Sequence, residues 1–242
     1  MSSIKIISLG SGAPDNITLR AFTALKESDI IFAPSGEAVR VLERLKALED
    51  LLPKVEQFDI PMKKDPSLAA GVYDKVTQRL YELYMEEQQV SLVTIGDAGI
   101  YSSAFKIVAE LTKRGAKVEV LPGVPSFVAG MAQAMVPLVE QGQNLTLLSQ
   151  INTPSDVLTP LANGSVVAIM KLSLYQESIK ELLRQGNYPF TYMEWLGDEK
   201  QFLTSDLESF LSRTCSYFSI IVIKPQSVVI TIARLTGVSI TT

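Results

Sequence analysis

Short apolar runs rich in β-branched residues recur through the first half of this chain, each stopped by glycine or proline. They are IKIISL (Ile4 to Leu9), DIIFAP (Asp29 to Pro34), VSLVTI (Val90 to Ile95) and KVEVL (Lys117 to Leu121). Runs of this length read as buried strands. The segments between them have helical spacing instead. Leu19, Phe22 and Leu25 fall on one face of TLRAFTALKES, and EAVRVLERLKALEDLLP repeats its apolar residues every 3.6 positions up to Pro53. Asp65 and Pro66 read as cap and first turn of a helix running through YDKVTQRLYELYMEE. SSAFKIVAELTKRG closes on a C-terminal glycine. Strands that alternate with helices predict an α/β fold: a mostly parallel sheet with helices on both faces.

PGVPSF (Pro122 to Phe127) is the first strong breaker cluster. It predicts a boundary between an N-terminal α/β domain, 1–121, that carries the glycine loops and a C-terminal α/β domain, 122–242. In the second part LTLLS, VVAIM, FTYMEW and YFSIIVIK read as strands and LYQESIKELLRQG as a helix, which predicts a mixed sheet. SVVITIARLTGVSITT has β composition without an evident partner.

Composition narrows the chemistry. With 47% hydrophobic and 20% charged residues the chain can bury a sizeable core. It contains no histidine and one cysteine, Cys215. A disulfide framework is therefore excluded, a structural zinc site is disfavoured, and no Ser-His or Cys-His nucleophile pair can form. The net charge is −4 without a lysine or arginine cluster beyond Met62 to Lys64, so a nucleic-acid partner is not expected. Glycines break the opening MSSIKIISLGSG before a signal-peptide core can form, and YFSIIVIK is too short to span a membrane. The expectation is a soluble, cytoplasmic protein.

Ligands of open parallel sheets bind beyond the carboxyl ends of the strands. Two glycine loops fall there, GSGAPD after the first strand and GDAGIYSS after VSLVTI. Asp97 could accept from ribose hydroxyls or a cationic group, or it could shape its own turn through a side-chain to backbone bond. Ser102 and Ser103 could cap the next helix or reach the ligand. Tyr73, Leu80 and Tyr84 fit a packed helix face.

In their order, these motifs resemble the tetrapyrrole (class III) methyltransferases. LGSGAPDNITLRA is similar to the family's N-terminal signature, GDAGIYSS to its G-D-P-x-x-Y-S-[ST] loop and LPGVPSF to its P-G-V-S-S-F segment. VVAIMK, TYMEWLGDEKQFL and YFSIIVIKP resemble the later landmarks. FDIPMKKDPSLAAGVYDKV is similar to a stretch of the precorrin-2 carbon-20 branch. The first signature departs from the usual P-G-D, carrying Ser11, Gly12 and Ala13 with Asp15 displaced, and Pro125 replaces a serine of the third segment.

The resemblance implies two α/β domains with S-adenosylmethionine between them, S-adenosylhomocysteine as product, a tetrapyrrole substrate and a homodimer. It implies methyl transfer to carbon 20 of precorrin-2 or of cobalt-factor II (cobalt-sirohydrochlorin) in cobalamin biosynthesis. Carried over, the cofactor residues are Ser11, Ile95, Gly96, Asp97, Ile100, Tyr101, Pro125, Ser126, Met170 and Leu196. Tyr101 is the candidate proton acceptor. Lys63, Lys64 and Arg40 are candidates for the substrate carboxylates. The rival readings are a methyltransferase for another tetrapyrrole carbon (uroporphyrinogen III or a later precorrin) and a non-catalytic binding protein of the same fold. A nicotinamide-dependent oxidoreductase would need a third glycine where Asp15 stands.

Overall fold

The computed structural model describes residues 3–48, 54–60 and 66–226. The chain divides into two compact units, Met1–Ala129 and Gly130–Thr242.

The first unit alternates strand and helix: β1 (Ile4–Ser8), α1 (Leu19–Lys26), β2 (Ile30–Pro34), α2 (Glu37–Leu48), β3 (Lys54–Phe58), α3 (Pro66–Met85), β4 (Val90–Thr94), α4 (Ala104–Lys113) and β5 (Val118–Leu121). A further helix, α5 (Ser126–Gln133), follows and contains the division between the units. The five strands form one sheet in the order β3-β2-β4-β1-β5, all pairs parallel. A parallel strand covered on both faces has to be apolar on both sides. Accordingly Ile6 and Leu92, in register, pack into one cluster with Val76, Leu80, Leu83, Ile107 and Leu111 of α3 and α4. Their neighbours Ile7 and Val93 face the other side, against Leu25 of α1 and Val41, Leu42 and Leu45 of α2. Tyr73 and Tyr84 pack at the margin of the first cluster.

Helix α1 keeps part of its predicted face: Leu25 is buried and Phe22 packs against the same cluster, whereas Leu19 is 85% exposed and Ala21 and Ala24 complete the buried stripe. That stripe, spaced three and four apart, lets small residues bring the helix close to the sheet. Thr18 caps α1 by accepting the Ala21 N–H at 3.2 Å.

The second unit contains β6 (Leu145–Leu148), α6 (Ser155–Ala162), β7 (Val166–Met170), α7 (Gln176–Gln185), β8 (Phe190–Glu194), β9 (Phe202–Thr204), α8 (Leu207–Leu211) and β10 (Ser219–Ile223). Its sheet has the order β6-β7-β10-β8-β9. It is mixed: β6 and β7 are parallel, while β10 runs antiparallel to both β7 and β8. The fully buried β8 and β10 pack, through Tyr192 and Ile221, with Phe210, Ile179 and Leu183. The sequence-predicted strand YFSIIVIK starts only at Ser219, because Tyr217 and Phe218 form the turn before it. The segment 227–242, read from composition as β, lies outside the described residues.

Candidate functional site

Strands β1 and β4 are neighbours, yet the chain leaves them in opposite directions, from β1 towards β2 and from β4 towards β5. That is a topological switch point, the place at which open parallel sheets bind their ligands. Both glycine loops found in the sequence open from it.

The two loops are stitched together. Gly10 and Gly96 exchange backbone hydrogen bonds, Gly10 N–H to Gly96 O at 3.1 Å and Gly96 N–H to Gly10 O at 2.7 Å. Both have positive φ, +72° and +76°, which glycine adopts without penalty. The loop after β5 closes against the same point. A Cβ on Gly123 would lie 2.7 Å from both Gly96 O and the Ser8 Cβ, so only glycine fits there.

Asp97 ties this junction together. Its Oδ1 accepts the Gly99 N–H at 2.8 Å, within its own turn, and its Oδ2 accepts the Gly123 N–H at 2.9 Å, from the third loop. The buried Ser8 hydroxyl accepts the Ala98 N–H at 2.9 Å. The aspartate between two glycines therefore shapes its own turn and also joins the loops after β4 and β5.

Ser11, 6% exposed, accepts a hydrogen bond from Asn16 Nδ2 at 2.8 Å. Gly12 O accepts from Arg44 Nη2 at 3.1 Å, and Arg44 also binds the buried Glu37 at 2.7 Å. Arg44 escaped the sequence analysis. Its only signal was the seven-residue spacing from Glu37, which puts both side chains on one helical stripe two turns apart. Arg40, selected in the sequence for substrate carboxylates, pairs with Glu37 at 3.4 Å. Lys63 and Lys64 lie outside the described residues.

The end of the second loop is pinned from α3 and β4. Tyr73 Oη and Ser103 Oγ are 2.7 Å apart, and Ser102 Oγ lies 3.2 Å from Thr94 Oγ1 and accepts the Ala104 N–H at 3.2 Å. Of the two serines, Ser102 binds the start of α4, while the Ser103 side chain makes no cap. Tyr101, at 45% exposure, has φ +50°. Pro125 and Ser126 open α5, with Pro125 O accepting the Val128 and Ala129 N–H groups.

In the second unit Met170 and Leu196 share one sheet edge. Ile220, near the start of β10, pairs with Met170 on one side and Met193 on the other. Met170 is followed by Lys171 at φ +57°, and Leu196 is preceded by Trp195 at φ +53°. Among the described residues five non-glycines have positive φ. Glu87 and Met135 follow helix ends, where that conformation is ordinary. Lys171 and Trp195 instead stand just beyond strands and Tyr101 in the loop between β4 and α4, and such conformations cluster at ligand-binding sites. Each lies in or beside a segment singled out in the sequence.

Among the described residues no helix is long and apolar enough to cross a membrane, and no group of three or more histidine, cysteine, aspartate or glutamate side chains could hold a metal ion.

The sequence model of the Tetrapyrrole (Corrin/Porphyrin) Methylases matches residues 3–210. A cobalt-precorrin-2 C(20)-methyltransferase of Salmonella typhimurium is 30% identical over 185 residues, covering 74% of this chain and 77% of the relative. The solved structure of CbiF, a cobalt precorrin-4 methyltransferase, superposes with a TM-score of 0.71 at 17% identity, covering 92% of this chain and 94% of the other. Uroporphyrin-III C-methyl transferase from Thermus thermophilus, complexed with S-adenyl homocysteine, superposes with a TM-score of 0.61 at 20% identity, covering 92% and 97%.

Proposed function

Because the chain belongs to the tetrapyrrole methylase family, whose members are S-adenosylmethionine-dependent C-methyltransferases, we propose that it methylates carbon 20 of precorrin-2 or of cobalt-factor II in cobalamin biosynthesis. The observation that carries the carbon-20 assignment is the 30% identity to the Salmonella enzyme over three quarters of this chain. The FDIPMKKD segment supports the same branch.

The loops after β1, β4 and β5 fit the cofactor. They meet at a switch point, where Gly123 lets the loops pack together and the open space beside Gly96 lets a ligand approach the backbone closely. Ser11, Ile95, Gly96, Asp97, Ile100, Tyr101, Pro125 and Ser126 would hold it in this unit, and Met170 and Leu196 carry the same assignment in theirs. When bound, S-adenosylmethionine supplies an electrophilic methyl group on a sulfonium.

The chain's own task is to align that methyl with the meso carbon and keep both reactants still, since positioning alone reaches effective molarities of ~10⁵ M and above. Attack by the carbon forms the C–C bond while the S–CH₃ electron pair stays on sulfur, and the carbon then releases its proton. No nucleophilic side chain is needed, in keeping with a chain that has no histidine. Tyr101, exposed at the loop end, is the candidate acceptor for the proton. We place the enzyme in the cytoplasm as a homodimer.

The test is methyl transfer to precorrin-2, cobalt-sirohydrochlorin and uroporphyrinogen III, reading product mass and methyl position. Methylation at carbon 20 is expected. Methylation elsewhere would move the enzyme to another branch, which the likeness to CbiF and the Thermus fold keeps in view. Cofactor binding without turnover on any of the three would favour the binding-protein reading, for which the altered Ser11-Gly12-Ala13 loop speaks.

A further inference from the structure

The second unit buries a carboxylate that the methyl-transfer chemistry does not use. Glu194 ends β8 and is 2% exposed. A charge removed from water is tolerated only when it is paired and hydrogen-bonded, and Glu194 is both. Arg213 donates from Nε to Oε1 at 2.9 Å and from Nη2 to the same oxygen. Tyr192 Oη donates to Oε2 at 2.7 Å, and the Ser216 N–H reaches Oε2 at 3.3 Å. Burial first, and then the bond to Glu194, hold the Tyr192 hydroxyl far above the usual tyrosine range, so it remains a donor.

The clamp is itself held in place. The Arg213 guanidinium lies 3.9 Å from the Phe202 ring centroid, and Arg213 O accepts from the buried Lys180 at 2.6 Å. The residue after Glu194 is the left-handed Trp195, whose N–H donates to Phe218 O at 3.2 Å and whose ring lies 5.0 Å from that of Phe218. Leu196 follows, 6% exposed, packed where Gly130 has no side chain. A Cβ there would lie 2.9 Å from Leu196 Cδ1.

Buried ion pairs seldom add stability over an apolar replacement, and their best-attested use is to select one arrangement. The strained turn lies one residue beyond this one. We propose that Glu194 is a positioning residue: its carboxylate, clamped by Arg213 and Tyr192, holds the Trp195–Leu196 turn in the conformation that meets the cofactor. The proposal rests on the reading of Leu196 as a cofactor contact.

Trp195 is the chain's single tryptophan, so its emission reports this turn alone. Glu194→Gln keeps the size of the side chain and removes its charge. It is expected to weaken S-adenosylhomocysteine about tenfold by calorimetry, the equivalent of ~1.4 kcal/mol, and to shift Trp195 emission to longer wavelength. Arg213→Lys should move both readouts in the same direction. Leu161→Ala, a core truncation on α6, should lower the melting temperature while leaving affinity and emission alone. If Glu194→Gln does not fold, Tyr192→Phe removes one donor with little change in packing and takes its place. Folded variants with affinity within twofold of the unmodified protein and unchanged emission would overturn the proposal. Equal loss of affinity in Leu161→Ala would overturn it too. Failure of the unmodified protein to bind S-adenosylhomocysteine would instead overturn the cofactor reading. The emission shift would then decide the clamp by itself, its presence upholding the clamp and its absence refuting it.

Discussion

Replacing Asp97 by alanine removes two acceptors from the junction of three loops. The Gly99 donor lies on an exposed residue, where water can replace the carboxylate, so that loss is worth about 0.5–1 kcal/mol. The Gly123 N–H is part-buried and bonds to a charged oxygen, and losing such a bond costs ~1.5–3 kcal/mol. Together these give about 3 kcal/mol. For a chain of this length each kcal/mol shifts the melting temperature by ~2–4 °C, so Asp97→Ala should melt about 6–12 °C lower. Asparagine keeps one acceptor oxygen and should lose about half as much. Thermal unfolding by circular dichroism reads both shifts, and calorimetry with S-adenosylhomocysteine reads the site. If the carboxylate serves the cofactor by holding the loops, asparagine should retain affinity within a few fold and alanine should lose considerably more. A melting temperature for Asp97→Ala within 1 °C of the unmodified protein would refute the bonding argument. Loss of binding in an Asp97→Asn variant of unchanged stability would mean that the carboxylate touches the ligand directly.

Gly123→Ala places a Cβ 2.7 Å from Gly96 O and should cost ~1–3 kcal/mol in denaturant unfolding. Gly71→Ala, on α3 with open space around it, should stabilise by ~0.5–1 kcal/mol; equal effects at the two glycines would count against the packing at the loop junction. Burial raises Cys215 above its ordinary 9.0 and Tyr192 above 10.0. A raised folded-state pKa contributes stability in full below the unfolded value and loses it as pH climbs through the folded one. The melting temperature should therefore fall more steeply above about pH 9, and Cys215→Ala should flatten the first part of that fall. The double change Lys63→Ala with Lys64→Ala should raise KM for the tetrapyrrole but not the cofactor Kd. That effect should shrink with salt, as screening over ~8–10 Å requires, and unaltered kinetics at low ionic strength would place the carboxylate site elsewhere. Light scattering at micromolar concentration should give a dimer mass, and a monomer would refute the assembly proposed from the resemblance.

Periodicity is a local property, and what depended on it was legible in the sequence. Ile4 to Leu9, Val90 to Ile95 and the helices between them could be read because each buries a face set by residues a few positions away. Elements too short to show a period, such as β9 and α8, or opened by prolines, such as α5, passed unrecognised. Leu19 was misplaced because three apolar residues define a stripe only loosely, and the sheet selected the alanine face. The glycine loops could be located as well, since a loop that closes a strand must lie at the sheet's edge.

Their partners could not be read this way. Asp97 reaches Gly123, 26 residues later, because β5 joins the sheet beside β1. Arg44 reaches Gly12, 32 residues earlier, because α2 packs on the face of the sheet shared by Ile7 and Leu9. Glu194 carries no signal of its own in the sequence, because Arg213, which folds back on it, stands 19 residues away. The sequence by itself determined the strands, the helices and the chemical types at the turns, because each answers to its own neighbours. The order of strands in the two sheets decided which buried polar group meets which, because a hydrogen bond or ion pair depends on distance in space, whatever the separation along the chain.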